Sequence, residues 1–227
     1  MKKEYRLLIC SAALLFAFIV FTVLVSAADV RPVGFEGSDI GFAALNTGLH
    51  EALGANKFPD VVSDLLLILS LTVAALFAAV GVMQLLKKKK LFKVDHAVLL
   101  LGAVYLLIVL FYAIFEIASV NYRPDAAEAS YPSSHVFIVL TVTLTAAVYV
   151  KARCRDKKLT LYLCAACTAA AALTAVCRLF SGDHWFTDIV GGLLLGGFLA
   201  TLYGGALTLT DAKMKSVRRK IKKAQTD

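Results

Sequence analysis

The chain has 227 residues, of which 59% are hydrophobic and 18% are charged, and its formal net charge is +8. A soluble domain carries roughly 45–50% apolar and about 25% charged residues. The composition therefore excludes an ordinary soluble domain. Because the apolar residues form long runs broken by short charged segments, the sequence indicates a polytopic membrane protein.

Six transmembrane helices are predicted, since one crossing takes about 20 apolar residues. The apolar runs lie at 7–27, 61–86, 97–119, 135–150, 159–180 and 185–209. The expected fold is thus all-α, a bundle of six membrane helices. In the one long loop, 28–60, the segment 41–55 is expected to form a short helix on the membrane surface. Gly192 and Gly196 form a G-x-x-x-G face that predicts close packing of the sixth helix.

The first helix has a second interpretation. Val25-Ser26-Ala27 resembles a signal-peptide cleavage site. Its apolar core, 7–25, is longer than the usual 7–15 residues of a signal peptide, which favours an uncleaved anchor. Cleavage would leave five helices without changing the side on which the later loops lie.

The basic residues predict the orientation. Of 24 Lys and Arg residues, 20 lie at the N-terminus, in the loops after the second and fourth helices, and in the C-terminal tail. The positive-inside rule therefore places both termini in the cytoplasm and the remaining loops outside a cell membrane. Basic flanks of this kind contact anionic lipid head groups, so they do not indicate nucleic-acid binding.

Ionisable and polar residues are concentrated in three segments on the predicted outer side. They are Glu116, Arg123 and Pro124 after the third helix, Pro132, Ser133, Ser134 and His135 before the fourth, and Arg178, Asp183, His184 and Asp188 between the fifth and sixth. Such residues at a membrane boundary are costly and are candidates for function. Because all three segments emerge on one face, we expect them to converge at one site.

The residue types suit phosphate chemistry. Arginine offers a planar fork of donors that matches phosphate oxygens. His184 and Asp188 are four residues apart and share a helix face, so the carboxylate can orient one ring nitrogen and leave the other as a nucleophile or base. His135 lies on another helix and can serve as an acid. Ser133 and the backbone N–H groups that follow it can cradle an anion.

Three motifs resemble the signatures of the type 2 phosphatidic acid phosphatase superfamily, K-x6-R-P, P-S-G-H and S-R-x5-H-x3-D. They read Glu116-x6-Arg123-Pro124, Pro132-Ser133-Ser134-His135 and Cys177-Arg178-x5-His184-x3-Asp188. The resemblance implies a metal-independent phosphatase without a cofactor. It implies that His184 attacks phosphorus, Asp188 orients His184 and His135 protonates the leaving oxygen. Arg123, Arg178, Ser133 and Ser134 would bind the phosphate.

The resemblance also implies a division of the chain and a class of substrate. Residues 1–60 would form an anchor helix and outer loop, 61–210 a phosphatase-like transmembrane core, and 211–227 a basic cytoplasmic tail. The substrate would be a lipid phosphomonoester or an isoprenoid diphosphate such as undecaprenyl diphosphate. Membrane lipids are the other expected partners, and the oligomeric state is left open.

Three motif positions depart from the family pattern. Ser134 replaces glycine, Cys177 replaces serine, and Glu116 replaces a phosphate-binding lysine. We expect Glu116 to pair with Arg178, because a carboxylate at the membrane boundary is costly unless it is paired. The charge reversal also keeps an alternative open, a catalytically weak member that binds lipid phosphate or acts as a scaffold.

Two further interpretations are weaker. A zinc site built from His135, His184, Asp183 and Asp188 is possible on ligand type alone. A transporter would carry broken helices with polar groups near the middle of the membrane. The central third of each predicted span has no charged residue, which disfavours a transporter.

Overall fold

Each of the six apolar runs forms one helix that is long and apolar enough to cross a membrane. The computed structural model describes residues 3–225, except for the side chains of residues 3, 4, 218 and 222–224. The helices are α1 Lys3–Ala27, α2 Ala43–Leu53, α3 Lys57–Lys88, α4 His96–Ala118, α5 Ser134–Arg153, α6 Lys157–Ser181 and α7 Phe186–Ala224. The predicted all-α fold with six membrane spans is confirmed.

Polar residues set the boundaries of several helices. Asp95 accepts the Ala97 N–H at the start of α4, at 3.0 Å. Asn56 accepts the Phe58 N–H at 2.9 Å and begins α3 at Lys57, about one turn before the apolar run at 61–86. Residues 57–60 are therefore helical, and Asp60 and Asp64 lie one turn apart on the same face of α3.

Helix α7 forms the centre of the bundle, with α1 and α5 packed along it. A Cβ atom on Gly192 would lie 2.9 Å from the Ser133 carbonyl oxygen, and one on Gly196 would lie 2.9 Å from Leu140 of α5. Because neither position has a side chain, the backbones of α5 and α7 can approach closely. The close packing predicted for this G-x-x-x-G face is confirmed.

Helix α7 is also much longer than one membrane crossing. It has 39 residues, or roughly 58 Å at 1.5 Å per residue, whereas a bilayer's hydrocarbon core is about 30 Å thick. Its C-terminal part therefore extends past the membrane without interruption. The expected boundary between core and tail at residue 210 falls inside this one helix.

The loops that follow α1, α4 and α6 meet at one end of the bundle, here called the loop end. Gly41 packs directly on the end of α1, where a Cβ atom would lie 1.6 Å from the Val25 carbonyl oxygen. The Gly41 N–H donates to Asn121 Oδ1 at 3.3 Å. Asn46 of α2 donates to Thr187 Oγ1 at 2.9 Å. Helix α2 is thus tied to the start of α7, beside the candidate site.

Candidate active site

The three polar segments of the sequence meet at the loop end, as expected. Two contacts bring them together. The Ser133 N–H donates to the Asp188 carbonyl oxygen at 2.9 Å, which joins the starts of α5 and α7. The Trp185 Nε1–H donates to the Tyr122 carbonyl oxygen at 2.7 Å, which joins the loop after α4 to the loop before α7. His135, Arg178, His184 and Asp188 therefore all face one region.

His184 and Asp188 form a buried pair in this region. The side chain of His184 is 2% exposed and that of Asp188 is 0% exposed. His184 Nδ1 lies 3.6 Å from Asp188 Oδ2, a close contact slightly longer than a hydrogen bond. The carboxylate thus faces Nδ1 and leaves Nε2 on the other side of the ring.

Burial lowers the pKa of His184 below its ordinary value, because the charged imidazolium loses its hydration. The Asp188 carboxylate acts in the opposite direction, and the nearby Arg178 charge lowers the pKa further. His184 is therefore held as a neutral imidazole at neutral pH. A neutral ring carries a lone pair, which a nucleophile requires.

Asn121 holds Asp188 in place, and sequence reasoning did not identify it. Its Nδ2 donates to Asp188 Oδ1 at 3.2 Å, while the Trp185 N–H donates to Asp188 Oδ2 at 3.0 Å. Asn121 is completely buried. Both carboxylate oxygens thus have a fixed donor. A buried carboxylate needs such donors to stay ionised.

Arg178 is engaged by carboxylates from two other segments. Its Nη1 donates to Asp60 Oδ1 at 2.5 Å and to Ser63 Oγ at 3.2 Å. Its Nη2 lies 3.3 Å from Asp183 Oδ2. Burial, and then the neighbouring Asp60 carboxyl, raise the pKa of Asp183 to about 6, which the charge of Arg178 opposes.

The expected pair between Glu116 and Arg178 is wrong. Arg178 lies on α6, which packs mainly against α5 and α3, so its partners come from α3 and from the loop after α6. Glu116 lies on an exposed face of α4. There it accepts a hydrogen bond from Ser119 through its backbone oxygen.

His135 also contacts α3. Its Nε2 lies 2.8 Å from Asp64 Oδ1, and the same carboxylate oxygen is 4.0 Å from Arg178 Nη1. Asp60 and Asp64 were missed by the sequence analysis. The signal that could have revealed them is their position, since two aspartates four residues apart at the edge of a membrane span are costly without partners.

Buried polar atoms without partners are concentrated at this site. Among the described residues, eight buried side-chain polar atoms have no hydrogen-bond partner, and six of them belong to residues singled out from the sequence. Those six are Arg123 Nε, Ser133 Oγ, His135 Nδ1, Arg178 Nε and both ring nitrogens of His184. Buried polar groups are nearly always paired. A group of unpaired buried polar atoms that includes two arginine N–H donors and a hydroxyl is therefore typical of an anion-binding site.

The start of α5 adds backbone donors. Ser133 precedes the helix, but its side chain does not cap it, so the first N–H groups of α5 have no side-chain acceptor from this residue. Such N–H groups favour an anion. Arg123 approaches from the preceding loop, with Nε 3.3 Å from Glu128 Oε2 but without hydrogen-bond geometry.

A cleft beside the site opens between α4 and α5. It is lined by Tyr112, Phe115, Glu116, Ala129, Ser130, Tyr131, Pro132, Ser134, Phe137 and His184. Ser134 and Glu116, two of the three altered motif positions, thus share one cleft with His184. The exposed side chain of Glu116 lies on the outer face of α4, at the edge of this cleft.

The histidines and carboxylates form separate pairs rather than one ligand set. His135 contacts Asp64, and His184 contacts Asp188. Within residues 3–225, no group of three or more His, Cys, Asp or Glu side chains is placed to hold a metal ion. The zinc site considered from ligand type does not form among these residues.

Comparisons with known proteins were made on the sequence and on the fold. The model of the PAP2 superfamily matches residues 112–206, the range that contains the three motifs. A solved structure of similar fold is the first transmembrane PAP2 type phosphatidylglycerolphosphate phosphatase from Bacillus subtilis. The TM-score is 0.61 at 18% identity, covering 86% of this chain and 94% of that chain. At this identity the likeness shows the fold. No curated protein matches the sequence.

Proposed function

Because the chain belongs to the PAP2 superfamily, we propose that it is an integral-membrane lipid phosphatase that works through a phosphohistidine. The observation that carries the proposal is the set of unpaired buried polar atoms at and around His184. A phosphoryl group has three equatorial oxygens that need donors in the transition state. Arg123, Arg178, Ser133 and the first N–H groups of α5 supply donors of the required kind.

The proposed reaction has two steps. In the first, His184 Nε2 attacks phosphorus, the bond from phosphorus to the lipid oxygen breaks, and His135 gives its proton to that oxygen. In the second, water attacks the phosphorus of the phosphohistidine, His135 takes a proton from that water, the bond from phosphorus to His184 Nε2 breaks, and inorganic phosphate leaves. Positioning and charge stabilisation supply most of the catalysis in phosphoryl transfer, so the proposed mechanism is independent of metal.

The cleft between α4 and α5 supports a lipid substrate. It leads from His184 to the exposed face of α4, where Tyr112 and Glu116 lie. An acyl or prenyl chain could lie along this face while the phosphate reaches His184. From the distribution of Lys and Arg we further propose that both termini are cytoplasmic and that the site is extracytoplasmic. The substrate would be a lipid phosphomonoester or an isoprenoid diphosphate.

The charge of the site favours one alternative, a catalytically weak protein that binds lipid phosphate. Asp60 and Asp183 already engage Arg178, and Glu116 adds another carboxylate beside the cleft. Each of these negative charges opposes a phosphate dianion. The alternative predicts saturable binding of lipid phosphate without release of inorganic phosphate.

Release of phosphate from the purified protein in lipid nanodiscs separates the two functions. The panel would contain phosphatidic acid, phosphatidylglycerol phosphate, a sphingoid phosphate and undecaprenyl diphosphate. We expect turnover of at least one lipid, an acid-labile phosphoenzyme on rapid quenching, and full activity in excess chelator. Binding without turnover on the whole panel would overturn the enzyme proposal, and loss of activity with chelator would overturn the metal-independent mechanism.

A further inference from the structure

Helix α3 lies outside the matched range 112–206, yet its first turns reach the candidate site. Asp60 contacts Arg178, and Asp64 contacts His135. We propose that Asp64 is a positioning residue that prepares His135 to act as the acid. This inference rests on the proposed phosphatase function. It adds a second Asp–His pair to the pair formed by Asp188 and His184, from the opposite side of the site.

The hydrogen bond between Asp64 and His135 defines where the protons of the ring lie. Asp64 Oδ1 is 2.8 Å from His135 Nε2, and an ionised carboxylate only accepts hydrogen bonds, so Nε2 carries a proton. His135 Nδ1 is buried and has no partner among the described residues. Nδ1 is thus the ring nitrogen left to exchange a proton with substrate. In the imidazolium form, Nδ1–H is the proton that the leaving oxygen receives.

The other charged groups around His135 make this carboxylate important. Arg178 from α6 faces the ring and opposes a positive charge on it, and the neutral His184 faces it from the loop before α7 without offering a negative charge. Asp64 from α3 faces it with a negative charge and lies 4.0 Å from Arg178 Nη1. Without Asp64, the imidazolium would face only cationic or neutral groups. The charged form of the ring would then lose the negative charge that faces it.

Solvent limits the size of the effect. The Asp64 side chain is 52% exposed, whereas that of His135 is 14% exposed. Water screens the charge of a half-exposed carboxylate, so removing Asp64 should weaken the acid catalysis by His135 without abolishing it. Positioned acid catalysis contributes about 10²–10⁴-fold, and we expect the loss of Asp64 to remove roughly tenfold of it.

The test compares Asp64→Asn and Asp64→Glu with Asp39→Asn, an exposed carboxylate in the loop before α2. A lipid phosphate has a poor leaving group that needs a proton, whereas an aryl phosphate has a good one that does not. Asp64→Asn should lower kcat about tenfold on lipid phosphate and by less than about twofold on aryl phosphate. The alkaline limb of its kcat profile should move to lower pH. Asp64→Glu should restore part of the activity, and Asp39→Asn should match the wild type.

Equal losses on both substrates, or no loss on either, would overturn the inference. A second readout does not depend on turnover. The chain has only four histidines, so ¹⁵N spectra of histidine-labelled protein can be assigned with His135→Gln. Asp64→Ala should change the His135 signals from the Nε2–H form to a mixture of tautomers. If the wild type hydrolyses nothing, the proposed function fails, and these spectra still decide whether Asp64 positions His135.

Discussion

Two clusters of the same residue types lie at opposite ends of the bundle. At the end opposite the loop end, Arg153 donates to both oxygens of Asp211, at 3.0 and 3.2 Å. His96 Nε2 lies 2.7 Å from Asp211 Oδ1. At the loop end, His184, His135 and Arg178 each keep a buried nitrogen without a partner. The difference shows that pairing, rather than residue type, separates a cluster that joins helices from one that can receive a ligand.

The largest expected effect is that of removing the nucleophile. His184→Ala should lower kcat by at least about 10³-fold and abolish the phosphoenzyme, because His184 is the proposed nucleophile and His135 is assigned the separate role of the acid. Rapid-quench labelling with a radioactive lipid phosphate measures both. If substantial phosphoenzyme formed in this variant, the nucleophile would have to be another residue, and the comparison of the clusters would lose its basis.

A smaller effect is expected from loosening Asp188. Asn121→Ala removes the donor to Asp188 Oδ1 and leaves that oxygen buried and unsatisfied. We expect kcat to fall roughly tenfold, about 1.4 kcal/mol, with a small change in KM, because His184 loses its orientation rather than its contact with substrate. Asn121→Asp offers a contrast, since it places a second negative charge beside Asp188. A larger loss of kcat in Asn121→Ala than in Asn121→Asp would argue against this role for the amide.

At the opposite end the expected effect is on stability alone. Arg153→Ala breaks the link between α5 and α7, a partly exposed ion pair worth about 1 kcal/mol at most. The thermal midpoint should fall by about 2–4 °C or less. Phosphate release at 25 °C should be unchanged. A several-fold loss of kcat without a loss of stability would mean that this cluster also serves the reaction.

The smallest expected effect is at Glu116. Glu116→Lys places a cation in the cleft that leads to His184, so vanadate or phosphate should bind about threefold more tightly. We expect little gain in kcat, because the nucleophile and acid are untouched. Competition assays with inorganic vanadate measure the change. An inactive wild type together with an active Glu116→Lys variant would instead favour the weak, phosphate-binding alternative.

The sequence predicted most of the fold because membrane helices obey a length rule that apolar runs reveal directly. It also selected His135, Arg178, His184 and Asp188, since ionisable residues at helix ends are conspicuous in a hydrophobic chain. The structure brings these four together, and their chemical roles stay a prediction. The contacts between them depend on which helices are neighbours and how each is rotated, and neither follows from periodicity.

Two particular errors illustrate this limit. The pairing of Glu116 with Arg178 was expected because a carboxylate at the membrane boundary is costly without a partner, but the two residues lie on helices that face different neighbours. Asp60 was overlooked because α3 begins one turn before its apolar run, and Asp64 because it lies in the first turn of that run, where the sequence does not show which helices it faces. Asn121 lies in a loop without any repeating pattern, so only the contact with Asp188 reveals it.

The absence of a side chain at Gly192 has a consequence for mutational tolerance. One added methyl group there would meet the Ser133 carbonyl oxygen at 2.9 Å and the Val136 Cβ at 2.9 Å. It would act as a wedge between α5 and α7, at the level where the Ser133 N–H meets the Asp188 carbonyl oxygen. Alanine is the mildest replacement at most helical positions, but at 192 it would widen the space proposed here for a phosphoryl group. The width of that space therefore depends on glycine at position 192. Every other residue is larger, so any substitution there would widen it.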